Sequence, residues 1–148
     1  MTVHSILTRK GSTVCTIEPT ASVADAAKSL AYHGIGALVV LDAEGQTVGI
    51  ISERDIVRAL SAMGRAALET PVAEVMTRKV TICSRKDKIV DLMRRMTEGR
   101  FRHFPVIEEG RLVGIVSIGD VVKLRLEELE QEATTLREYI DRRAHQMY

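Results

Sequence analysis

A thirteen-residue phrase occurs twice in this chain, and the repetition narrows the folds open to it. Gly45-Gln46-Thr47-Val48-Gly49-Ile50-Ile51-Ser52-Glu53-Arg54-Asp55-Ile56-Val57 returns 65 residues later as Gly110-Arg111-Leu112-Val113-Gly114-Ile115-Val116-Ser117-Ile118-Gly119-Asp120-Val121-Val122, with seven of the thirteen positions identical. Average residue usage would leave about one identity by chance. The phrase is therefore an internal repeat, and the chain is two copies of one unit. Each copy reads as a strand, a tight polar elbow of the form Ser-x-x-Asp, and the opening turn of a helix.

The flanks repeat as well. Val3-His4-Ser5-Ile6-Leu7-Thr8-Arg9-Lys10 echoes Val72-Ala73-Glu74-Val75-Met76-Thr77-Arg78-Lys79, each a short helical lead-in. In the second copy Thr70 is placed to cap that helix, and Pro71 suits its first turn. Short β-branched strands follow, Thr13–Ile17 and Val80–Cys83. Next come helices with one apolar face: Val23, Ala26, Ala27, Leu30 and Ala31, then Ile89, Leu92, Met93 and Met96. Ser22 with Asp25 resembles a capping box, and Gly34 and Gly99 sit where left-handed C-caps favour glycine. Strand pairs, Ala37–Leu41 with Thr47–Ile51 and His103–Ile107 with Leu112–Val116, lead into the elbows. Their near-continuous apolar runs imply strands covered on both faces.

Each copy is thus β-α-β-β-α and about 60 residues long, too small to bury a comfortable core alone. The expected organisation is an α+β fold with α/β-type layers: repeat one at 1–61, a linker at 62–71, repeat two at 72–125 and a helical extension at 126–148. From Val121 to about Ala144 the chain has no Gly or Pro and reads as one long helix. Leu126, Leu129, Ala133, Leu136, Ile140 and Met147 approach a 3-4-3-4 spacing, which Arg143 breaks. Two readings stay open for it, a seam between two chains or a helix folded back on its own domain.

Totals exclude several classes. The net charge is +1 and the hydrophobic content 45%, so nothing pulls the chain globally toward nucleic acid or lipid. No apolar run approaches the roughly 20 residues of a spanning helix, and the start of the chain lacks the basic-then-apolar signature of a secretory signal. Cys15 and Cys83 lie 68 residues apart without Cys-x-x-Cys or histidine neighbours. They are expected as reduced thiols in a cytoplasmic protein, with no metal.

The chemistry concentrates at the elbows. A serine at a helix N-terminus, with free first-turn N–H groups and the positive dipole end, suits an anion. An ionised carboxylate three residues on is acceptor-only and matches the vicinal hydroxyls of a ribose. Ser52 with Asp55, and Ser117 with Asp120, therefore suit a ribose-phosphate; a plain helix cap is the competing reading. Arg54 lies inside the first elbow, where the second has Gly119. Arg100, Arg102 and His103 run into the strand ending at Pro105, where the first copy has Gly34, Gly36 and Ala37.

Two β-α-β-β-α copies, the apolar-Pro-Val strand Phe104-Pro105-Val106, and a doubled Gly-apolar-apolar-Ser-x-x-Asp elbow resemble a tandem CBS-domain pair, the Bateman module. Chains of this size resemble the stand-alone bacterial members. The resemblance implies repeats packed about a pseudo-two-fold axis with two composite clefts for adenosine derivatives: AMP, ADP, ATP, NAD(H) or S-adenosylmethionine. Carried onto this chain, one cleft would use Ser52, Arg54 and Asp55 with Ile82, Cys83, Arg102, His103 and Pro105. The other would use Ser117 and Asp120 with Thr16, Ile17, Gly36 and Ala37. Aspartate would hold the ribose, serine the phosphate, and strand edges the adenine. Copy one departs from the family pattern: Val39 replaces the proline, and Gly36 and Ala37 replace the basic residues, leaving the second cleft short of charge.

The expected function is regulatory, a sensor of adenine nucleotides that signals by conformational change, forms a homodimer (a disc of two modules, or through the C-terminal helix) and acts on an unidentified protein effector. A structural dimerisation module with degenerate pockets is the alternative. Nine Lys or Arg against three acidic residues between Arg78 and Arg102 raise nucleic-acid binding as a weaker one, disfavoured by scarce aromatics. An enzyme is not expected, since no nucleophile–base pair, metal-ligand spacing or Gly-rich phosphate loop stands out.

Overall fold

A computed structural model describes residues 1–99 and 101–146. The chain runs α1 (Val3–Lys10), β1 (Thr16–Ile17), α2 (Val23–His33), β2 (Ala37–Leu41), β3 (Thr47–Ser52) and α3 (Glu53–Met63). A 3-10 turn over Gly64–Glu69 then leads to α4 (Val72–Val75), α5 (Ile89–Gly99), β4 (His103–Glu108), β5 (Arg111–Ser117) and α6 (Ile118–Gln146). Repeat one forms a sheet in the order β1-β2-β3, with β1 parallel and β3 antiparallel to β2. Repeat two pairs β4 antiparallel to β5. Both hairpins carry a register shift at the matching place, between Val40 and Leu41 and between Val106 and Ile107. The fold class is the expected one: two α+β repeats and a long C-terminal helix.

The first strand of each copy is shorter than its β-branched content suggests. Only Thr16 and Ile17 pair in copy one. In copy two Cys83 alone bridges β4, donating to Pro105 O at 3.0 Å and accepting from Ile107 N at 3.0 Å. Edge segments with one covered side need few ladder bonds, so propensity overstated their length. Thr70 does not cap α4. Pro71 occupies that position, and the Thr70 hydroxyl donates to Ala66 O at 3.0 Å, closing the 3-10 turn. Ser22 accepts from Asp25 N at 3.0 Å as half of the expected capping box. Gly34 takes the left-handed conformation (φ 63°, ψ 40°), whereas Gly99 is the last residue of α5 and lies against the Phe101 ring. Arg100 and Met147 lie outside the described residues.

The lead-in helices change places. Val3, Ile6 and Leu7 of α1 join the core of repeat two, with Cys83, Ile89, Leu92, Met96, Phe104, Val106, Val116, Val121 and Leu124. Val72 of α4 and the following Met76 join the core of repeat one, with Val23, Ala26, Leu30, Leu38, Val40, Ile51 and Ile56. Backbone bonds fix both exchanges: Val3 N to Asp87 O and His4 N to Arg85 O on one side, Val72 N to Ala21 O and Val23 N to Thr70 O on the other. Burying each valine contributes about 1.5–3 kcal/mol, so each repeat draws stability from the other's flank.

The exchange also explains the glycine in each repeated phrase. A Cβ on Gly49 would lie 2.8 Å from Thr77 O and 2.7 Å from Met76 Sδ; one on Gly114 would meet Leu7 side-chain atoms from 2.5 Å. Each crossing segment passes directly over its strand, and glycine is what lets it approach so closely.

The expected long helix is α6, and it does not fold back. Val121 and Leu124 are buried in repeat two, and from Glu130 to Gln146 every residue is exposed. No helix among the described residues is long and apolar enough to cross a membrane.

Candidate functional site

Each elbow closes a strand that is pinned by the crossing lead-in, so its helix N-terminus is held in place. At the first, Ser52 caps α3 and forms a reciprocal box with Asp55. Asp55 N donates to Ser52 Oγ at 3.3 Å, and Ser52 N donates to Asp55 Oδ2 at 2.9 Å. Glu53 N donates to Gly36 O at 3.0 Å. Two first-turn N–H groups are thus spent on the fold, and anion recognition at this elbow falls mainly to side chains. The other carboxylate oxygen, Asp55 Oδ1, accepts from Thr77 Oγ1 at 2.9 Å. Asp55 is only 8% exposed; Ser52 Oγ also donates to its Oδ2 at 3.0 Å, so of about four acceptor positions on the carboxylate one is left for a ligand hydroxyl.

In front of this elbow lies a cleft of about 460 Å3. That volume is within the range of small-molecule sites. Repeat one supplies Ser52, Arg54, Asp55 and Arg58; the second half of the chain supplies Thr77, Lys79, Val80, Thr81, Arg102 and His103. Among the described residues, no acidic side chain forms an ion pair with Arg54, Arg58, Lys79 or Arg102. Against these cations the cleft has Glu53 and Asp55. Its field is positive, and phosphate is the natural complement of guanidinium and ammonium groups.

His103 sits where the two repeats meet. A Cβ on Gly36 would lie 3.7 Å from its Nε2. Burial pushes the His103 pKa down, Lys10 and Arg102 push it further, and Asp120 and Glu53 oppose them. The fold therefore prefers the neutral ring, and the free protein should lose stability as pH falls below about 6.5. Urea midpoints measured from about pH 7.5 to 5.5 should therefore fall as the pH falls, and fall less in His103→Gln, which has no ring to protonate.

The second elbow has the same cap: Ser117 N donates to Asp120 Oδ2 at 2.9 Å, and Asp120 N to Ser117 Oγ at 3.2 Å. Here the position in front of the carboxylate is already filled. Lys10 Nζ lies 2.7 Å from Asp120 Oδ2 and 3.0 Å from Ile115 O. Burial raises the Asp120 pKa, but the bonds from Lys10 and Ser117 outweigh it and hold the carboxyl below its ordinary value. A cavity of about 130 Å3 that includes Lys10 and Asp120 lies between α1 and α6 rather than between this elbow and the strands of repeat one. The difference between the elbows follows from helix length. α1 continues eight residues to Lys10, whereas α4 stops after Val75 and the chain extends so that Thr77 bridges Ile50. Lys79, the counterpart of Lys10 in the repeat, is left in the open cleft.

The structure gathers Ser52, Arg54, Asp55, Arg102, His103 and also Gly36 around one cleft. Ile82, Cys83 and Pro105 lie elsewhere. Cys83 and Pro105 are buried in repeat two, and Ile82 is exposed, its carbonyl accepting from Arg95 at 2.9 Å. Burial, with Asp87 adding to it, pushes the Cys83 thiol up to about 12, so it stays protonated near neutrality. Thr16 and Ile17 lie on β1, and Ala37 is buried in β2 opposite Ser52. Arg58, Thr77, Lys79, Val80 and Thr81 were not anticipated. The repeat contained a signal for Lys79, its equivalence with Lys10, but sequence alone does not show that the lead-ins cross. Among the described residues no cluster of metal-ligating side chains occurs.

A family model described as the CBS domain matches residues 4–62 and again 72–127. The mitochondrial CBS domain-containing protein CBSX3 of Arabidopsis thaliana is 37% identical over 94% of this chain and 71% of its own length. The crystal structure of the CBS-domain containing protein ATU1752 from Agrobacterium tumefaciens superimposes with a TM-score of 0.82 at 49% identity, covering 84% of this chain and 92% of that one. The CBS domain pair of protein MJ0100, solved in complex with 5-methylthioadenosine and S-adenosyl-L-methionine, superimposes with a TM-score of 0.77 at 29% identity, covering 86% and 98%.

Proposed function

The chain belongs to the CBS-domain family as a tandem pair, and on that premise we propose that it is a regulatory sensor that takes one phosphate-bearing adenine nucleotide per chain, of the AMP, ATP or NAD(H) type, in the Ser52–Asp55 cleft. The observation that carries this reading is the meeting of a buried ribose-type acceptor, Asp55, with Arg54, Arg58, Lys79 and Arg102 in one cleft. The adenosine ligands of the MJ0100 pair support the nucleoside half. The cations favour phosphates over a sulfonium or an uncharged thioether.

The second elbow acts as structure, because Lys10 neutralises Asp120 where a second ligand would sit. The ligand ties together residues from both repeats. Arg102 O accepts from Ile118 N at 2.8 Å, so a shift of Arg102 reaches the first turn of α6, the route by which occupancy would be passed to a partner. The role is binding rather than catalysis, in a reducing compartment such as the cytoplasm where Cys15 and Cys83 remain free thiols.

Calorimetric titration with AMP, ADP, ATP, NADH and S-adenosylmethionine tests the reading. One equivalent of a phosphate-bearing ligand is expected, with affinity falling steeply as salt rises. Arg102→Ala should weaken it roughly tenfold. Absence of binding by every adenine nucleotide at millimolar concentration would leave a dimerisation module with degenerate pockets.

A further inference from the structure

We propose that α6 is one strand of a parallel two-stranded coiled coil whose other strand is α6 of a second copy of this chain. The helix has two apolar faces. Val121 and Leu124 enter the core of repeat two. Roughly opposite them, at about 100° per residue, Val122, Leu126, Leu129, Ala133, Leu136 and Ile140 form a second stripe with an unbroken 4-3-4-3-4 spacing. That stripe faces away from the body of its own molecule, with Leu126 55%, Leu136 60% and Ile140 55% exposed. A helix packed only on its own domain needs no second stripe. The spacing, 3.5 residues per turn, is that of a seam between helices rather than of a globular face.

The charges beside the stripe select the occupant. With Leu126, Ala133 and Ile140 as one set of seam positions and Val122, Leu129 and Leu136 as the other, the flanking residues that meet across a parallel dimer lie five apart. They are Glu132 with the partner's Arg137, and Arg125, which also holds its own Glu128 at 2.9 Å, with the partner's Glu130. Both pairs are of opposite sign, and a copy of the same helix supplies them reciprocally. Arg143 falls past the last apolar layer and donates to Tyr139 Oη of its own helix at 3.2 Å, which ends the seam. Six layers make a short coil, so the dimer should be reversible and concentration-dependent. The inference does not depend on what the cleft binds.

Disulfide trapping of the full chain tests it. In a Cys15→Ser background, Ile140→Cys oxidised with diamide is expected to give a covalent dimer in most of the protein, while Thr134→Cys, off the stripe, gives little. Adding Leu129→Glu to the Ile140→Cys chain should cut the yield about tenfold while the chain still unfolds cooperatively, since Leu129 lies outside the core of its own repeat. Equal trapping from positions 134 and 140, or none from 140 at tens of micromolar protein, would overturn the proposal. Trapping only between Ile140→Cys and Val122→Cys chains would mean an antiparallel pair and overturn it as stated.

Discussion

Replacing Asp55 with alanine is expected to lower nucleotide affinity roughly ten- to a hundredfold, while the same change at Asp120 leaves it within about twofold. A carboxylate that accepts from ligand hydroxyls in a mostly buried site is worth about 1.5–3 kcal/mol, which sets the larger figure. Both variants keep the serine cap but lose the bond from the serine N–H to the carboxylate, at about 1 kcal/mol each, and Asp120→Ala also frees Lys10. Stability therefore falls in both and cannot explain a difference in binding. Calorimetry on folded protein, with melting curves of each variant alone, separates the two effects. Equal loss of binding in both variants would show that the elbows are alike and that the Lys10–Asp120 pair opens in solution.

Gly49→Ala is expected to destabilise the protein by about 2–3 kcal/mol, and Gly114→Ala by less than about 1.5. The glycines are identical in the repeated phrase but meet different neighbours. At Gly49 the new methyl would press on Thr77 O, a backbone atom held by the reciprocal bonds Ile50 N to Thr77 O, 3.0 Å, and Thr77 N to Ile50 O, 2.8 Å. That backbone cannot yield without breaking the bridge. At Gly114 the nearest atoms belong to the end of the Leu7 side chain, which can change rotamer. Urea denaturation midpoints at a constant slope measure both. Gly49→Ala should also weaken binding, because Thr77 carries the hydroxyl that holds Asp55. A Gly49 variant as stable as the Gly114 variant would mean that the crossing segment is free to lift.

The parts of the fold that repeat were legible from residues alone. The Ser-x-x-Asp elbows, the hairpins and the amphipathic helices rest on local rules of capping and periodicity that hold wherever a segment ends up. What escaped reading depends on contacts distant in the chain. Nothing near Val3 or Val72 says that its helix packs on the other repeat, and from that crossing come Lys10 on Asp120, Thr77 on Asp55 and Lys79 in the open cleft. The shift of the cleft wall from Ile82 and Cys83 to Val80 and Thr81 has the same origin. An edge strand reduced to one bridge at Cys83 turns the preceding residues toward the elbow, and β propensity cannot report that. The loss of charge in copy one, at Gly36 and Ala37, was visible in the sequence. The filling of the second elbow by an ammonium from the far end of the molecule was not.

The crossed lead-ins set an order of assembly as the chain leaves the ribosome. Helix α1 emerges first, yet the core partners of Val3, Ile6 and Leu7 begin only at Cys83 and are complete only with Leu124. Repeat one in turn waits for Val72 and Met76. The earliest segment is thus the last to settle, and closing that long loop is an entropic cost met late. Until then an apolar helix stays available to chaperones or to α1-binding surfaces on neighbouring nascent chains. Severing the chain between Met63 and Thr70 would yield two fragments that each carry the other's missing core residues, and co-expression rather than separate expression is the way such halves would fold.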